Sequence, residues 1–101
     1  MMSSRRRGDA YARAIVRVID ADPERRGLLL AQQTLERWLS TREQPEPDLF
    51  AWREILTRPW ESIRSLLLSP TKRAVQLRQS MPFAGLLSDE DRERILADRD
   101  V

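Results

Sequence analysis

The sequence predicts an all-α fold, a small single-domain bundle of five to six short helices, and three observations carry that reading. Apolar residues recur at intervals of three and four along most of the chain, the spacing that gathers them on one helix face. β-Branched residues are few and nowhere alternate with polar ones for long enough to make a strand. Prolines and capping side chains fall between the periodic segments, where one helix must stop and the next must start.

Residues 1–8, dominated by Ser and Arg, read as a flexible basic tail. A single helical domain follows over 9–101, with a helical hairpin at 9–42, a loop at 43–47 and the remaining helices within 48–101. In the first helix Asp9 is the expected cap, and Tyr11, Ala14, Ile15, Val18 and Ile19 form a stripe opposite Arg13 and Arg17. It ends near Asp20. Asp22-Pro23-Glu24 then restarts the helix, because Pro has no amide hydrogen to lose in a first turn and carboxylates suit the positive helix end.

The second helix runs to about Thr41 on a stripe of Leu28, Ala31, Leu35, Trp38 and Leu39, with Leu29 and Leu30 widening its apolar face. Gly27 lies in its first turns at a cost of about 1 kcal/mol relative to alanine. That position is either tolerated or set for a close approach by the first helix. Glu43-Gln44-Pro45-Glu46-Pro47 has no apolar side chain and is the loop between the two halves.

The stretch 49–87 organises the rest of the chain. Leu49, Trp52 and Leu56 mark a third helix, Trp60, Ile63, Leu66 and Leu67 a fourth after Pro59, and Ala74, Leu77 and Met81 a fifth after Pro70. Prolines 23, 59 and 70 are thus read as helix starts, and Ser69 as the N-cap of the fifth helix. Arg58 precedes a proline and is pushed out of the α region, so the chain bends there with Trp52 and Trp60 near the corner. Ser80 to Gly85 reads as a turn plugged by Phe83. Ser88 caps a last helix that turns Ile95 and Leu96 inward.

A chain of 101 residues without cysteine or histidine has no disulfide, no thiolate nucleophile, and none of the usual imidazole bases or zinc ligands. The acidic clusters, Asp20, Asp22 and Glu24, then Asp89, Glu90, Asp91 and Glu93, fall at helix ends, where capping and the helix dipole account for them. There is no glycine-rich phosphate loop. No catalytic residue, cofactor or metal is therefore expected. No apolar run approaches the roughly 20 residues that span a bilayer, and the opening residues lack the core of a secretory signal, so a cytoplasmic protein with no membrane partner is expected.

Two functions from different classes remain. Arg and Trp are enriched at protein interfaces, and Arg53, Arg58 and Trp60 surround the corner at Pro59. The first expectation is a non-enzymatic interaction or regulatory module that binds a protein partner or a second copy of itself there, with Trp60 as the anchor. The second is a small DNA- or RNA-binding protein using a helix-turn-helix-like basic face at residues 60–79. No acid lies between Glu61 and Asp89, while Arg64, Lys72, Arg73 and Arg78 all do, and Gln76 adds an adenine-reading side chain. The net charge is only +2, and 17 of the 18 basic residues are arginine, a bias that a GC-rich genome also produces.

Overall fold

The computed structural model describes the backbone of residues 3–98 and every side chain in that span except those of 3–8, Ala84, Leu96 and Asp98. Six α-helices follow in order: α1 Ser3–Asp20, α2 Arg26–Thr41, α3 Pro47–Ile55, α4 Trp60–Leu68, α5 Lys72–Arg78 and α6 Asp89–Asp98. A single 3-10 turn, Ala84–Leu86, sits between the last two, and the described residues contain no strand. The chain is all-α, as its periodicity requires.

α1 is the hub, touching α2, α4, α5 and α6. Ala12, Ile15, Val16 and Ile19 are all nearly inaccessible, the i, i+3, i+4, i+7 set of one helix face. The expected stripe was rotated by part of a turn, for Val18 is exposed and Val16 buried. An arc covered by four neighbours is wider than a two-helix stripe. α1 also begins at Ser3 rather than at Asp9, so its backbone takes in part of the stretch read as a tail. Residues 1–2 and the side chains of 3–8 lie outside the described set.

The prolines start fewer helices than their positions suggest. Pro47, read as loop, is the one at the first position of a helix, α3. Pro23 lies in a turn before α2, where Asp22 Oδ1 accepts from the Glu24 amide at 3.1 Å and Asp22 Oδ2 from the Arg26 amide at 2.9 Å. Pro59 takes the N-cap position of α4. Pro70 stands one residue outside α5, whose cap is Thr71 rather than Ser69: Thr71 Oγ1 accepts from the Ala74 amide at 3.2 Å. Ser88 caps α6 as expected, accepting from the Asp91 amide at 3.1 Å.

The junction of α1 and α2 is tight. Arg25 adopts a left-handed conformation, φ 52°, which costs a non-glycine residue about 1–2 kcal/mol. Its guanidinium offsets this by donating to the carbonyls of Ile19 (2.9 Å), Asp20 (3.1 Å) and Asp22 (3.0 Å), at and just beyond the end of α1, where the helix dipole is negative. Two residues later, a Cβ on Gly27 would come within 2.9 Å of Ile19 Cγ1 and 3.2 Å of Leu86 Cδ1. Gly27 is there for close approach.

Farther along, α2 and α3 run antiparallel, since Gln32 Nε2 donates to the Leu56 carbonyl and Glu36 pairs with Arg53. Trp52 is fully buried, its ring edge-on to Phe83 with centroids 5.7 Å apart. Its indole N–H donates to the Leu77 carbonyl at 2.8 Å, which ties α3 to α5. Phe83 is the plug the turn was expected to carry.

Candidate interaction site

The corner at Pro59 forms, but it is closed. Trp60 is only 8% exposed, and its indole N–H donates to Asp20 Oδ1 at 2.8 Å, a partner 40 residues away in the chain. Arg64 Nε donates to the other oxygen, Asp20 Oδ2, at 2.9 Å, and the Arg25 guanidinium lies 6.0 Å from the Trp60 ring centroid. The indole hydrogen bond first, and then the Arg64 hydrogen bond, hold the Asp20 carboxyl below its ordinary range. Trp60 is thus a wall of the bundle and not an exposed anchor. Arg53 and Arg58 are exposed beside it, but each guanidinium grips a carboxylate: Arg53 on Glu36, both bonds at 3.0 Å, and Arg58 on Glu54 at 2.6 and 3.3 Å. The ring left half-buried is Trp38, with the Arg42 guanidinium 5.0 Å from its centroid.

Of the expected nucleic-acid face, Lys72, Arg73 and Gln76 lie exposed together on α5, while Arg64 is on α4 and Arg78 is buried. Arg64 is bound to Asp20. Arg73 Nη1 and Gln76 Nε2 both donate to Asp48, at 2.9 and 3.2 Å, so the nearest acid comes from α3 and not from the local sequence. Lys72 is exposed and has no acidic partner among the described residues.

Arg78 is buried. Its Nη1 donates to the carbonyls of Leu67 (3.0 Å) and Ser69 (2.7 Å) at the end of α4, and its Nη2 to Asp9 Oδ1 at 2.9 Å. Asp9, expected to cap α1, instead sits inside the helix and spends its carboxylate on Arg78. A guanidinium at a helix C-terminus satisfies orphan carbonyls and meets the negative end of the dipole together. Arg78 Nε is buried with no hydrogen-bond partner among the described residues, a deficit worth about 1–3 kcal/mol.

What the bundle does leave open is the outer side of α2 and α3. Among the described residues five large apolar side chains are exposed, and three of them, Leu29 (55%), Leu30 (49%) and Phe50 (52%), belong to this layer. A helix that buries Gly27, Ala31 and Leu35 turns Leu29, Leu30 and Gln33 to the opposite side. Likewise Phe50 follows Leu49 by 100° of rotation, so with Leu49, Trp52 and Ile55 inside it must point out. The run Leu28-Leu29-Leu30 was the available signal, because one stripe cannot cover three consecutive residues.

No helix of the described residues is long and apolar enough to cross a membrane. Comparison with protein-family models, curated proteins and solved structures finds no match, so the six-helix bundle and its open face are the grounds for assigning a role.

Proposed function

We propose that this chain is a non-enzymatic protein-interaction module whose contact surface is the outer side of α2 and α3, engaging a protein partner or a second copy of the chain. The observation that carries the reading is the exposure of Leu29, Leu30 and Phe50 on one two-helix layer, while Trp60 is sealed by Asp20. Burying two leucines and a phenylalanine at an interface removes apolar area at about 25 cal/mol per Å². Exposed leucines leave little to lose on replacement, within about 0.5 kcal/mol of folding stability. Of the residues of the nucleic-acid reading, Arg64, Arg73 and Gln76 are exposed but held on Asp20 and Asp48, Arg78 is buried, and Lys72 is exposed with no acidic partner among the described residues.

The test is association of the L29Q/L30Q double variant, followed by light scattering across a concentration series and by capture of partners from cells that make the protein. The reading predicts that the variant melts like the parent and loses whatever association the parent shows. Association that survives the double change, in a variant of unaltered stability, overturns it.

A further inference from the structure

A second surface lies on α1 and the end of α4 and does not depend on the α2 and α3 layer. Arg13, Arg17 and Asp20 fall within about 60° of one another around α1, about one turn apart along it. α4 runs antiparallel beside them: Arg64 donates to Asp20 at 2.9 Å, while Arg13 borders a half-open cavity of about 130 Å³ with Leu67, Leu68 and Pro70 at the end of α4. Arg17 stands between those two contacts. Both arginines are exposed, and neither has an acidic partner among the described residues. Lys72, two residues past Pro70, is a third exposed cation without one.

The acids that border this face are already engaged, Asp20 by Trp60 and Arg64 and Asp9 by Arg78. Glu61 lies beyond Arg64, at the other end of α4 from Arg13. The acid-rich α6 packs on α1 beside Tyr11 and Ile15, and Ile15 is turned about 200° around the helix from Arg13. α1 thus has its cations on one side and the acidic helix on the other. Uncompensated surface charge of one sign draws a partner of the opposite sign, and the planar fork of arginine matches phosphate oxygens two at a time. A bilayer needs a broad apolar face, and this one presents Leu68, 41% exposed, with Val18 turned about 140° from Arg13. No exposed aromatic ring stands on it, since Phe50 is on α3, so the bases of a single strand have no stacking platform.

We propose that this face binds the phosphate backbone of a nucleic-acid duplex through Arg13, Arg17 and Lys72, without reading its sequence. Each of the three neutralises a phosphate and releases the counterion condensed on it, which supplies affinity and makes it depend on salt. Backbone contacts alone carry no base preference.

The test is fluorescence anisotropy of a short labelled DNA duplex, titrated with the full chain at several salt concentrations. Binding is expected to weaken with salt along a log–log slope of about −3, equally for duplexes of unrelated sequence. R13Q/R17Q should lose about two units of that slope and K72Q about one. Both replace exposed side chains and should melt like the parent. No binding at about 100 μM protein in low-salt buffer, binding of unchanged slope in R13Q/R17Q, or capture by polyglutamate or by vesicles of anionic lipid as tight as by the duplex, overturns the proposal.

Discussion

The corner at Pro59 and the outer face of α2 look alike in sequence and end up opposite in the folded chain. Each offers large apolar side chains beside arginines, and each lies on a helix with a well-marked stripe. At the corner, Trp60 packs into the apolar core, and an acid from the end of α1, Asp20, takes its indole hydrogen and receives Arg64. On α2, nothing among the described residues reaches over Leu29 or Leu30, because α1, α3 and the 3-10 turn all pack on the opposite side. Which apolar group stays open was decided by partners dozens of residues away and not by the group itself.

The contrast can be broken most forcefully by truncation. W60A should cost about 3–5 kcal/mol in denaturant unfolding, since it removes a buried ring and takes the indole donor from Asp20 Oδ1, whereas L30A should change stability by under about 1 kcal/mol. Comparable losses at the two sites would erase the distinction between closed corner and open face.

Gly27 sharpens it from the other side of α2. Alanine would gain about 1 kcal/mol of helix propensity, yet its methyl group would press on Ile19, which has no exposed surface to retreat into. We expect G27A to be destabilising on balance, by about 1–2 kcal/mol, as measured by thermal unfolding. A stabilised G27A would mean that α2 can move off α1, and the account of its fixed orientation would fail.

A smaller effect comes from acid. The Arg26 side chain first, then its amide, lower the Asp22 carboxyl to about 2, and Asp20 shifts in the same direction. Because both folded-state values are depressed, the unfolded chain binds more protons in this range. The Asp22 stabilisation is complete above the ordinary aspartate value of 3.8 and is lost as pH falls through about 2. Melting temperature should therefore be insensitive to these groups near neutrality and decline below about pH 4, with D22N showing a shallower decline than the parent. An identical acid limb in D22N would remove Asp22 from the junction between α1 and α2.

The fold class, the end of α2 at Thr41, the Phe83 plug and the Ser88 cap were all legible, because each depends on residues a few positions apart. Two errors about local structure have local causes. Thr71 competes with Ser69 for the same cap, and Pro23 serves a turn stabilised by Asp22 as readily as a helix start. The errors about the site are of another kind. Arg78 stands four residues after Ala74 and one after Leu77, squarely on the inner face of α5, and the periodicity that marked its neighbours as core marked it too. Its charge suggested the surface, but the unpaired carbonyls of α4 and the carboxylate of Asp9 make the interior tolerable. Arg73 and Gln76 looked free of acids because Asp48 is 25 and 28 residues away in sequence.

The central claim is that α2 and α3 carry the contact surface and that the Pro59 corner does not. A photo-activated aromatic residue placed at position 30, and separately at position 58, tests it directly in cells that make the protein. The account predicts a discrete cross-linked species from position 30, whether a dimer of the chain or an adduct with another protein, and none from position 58. Adducts from position 58 alone would contradict it.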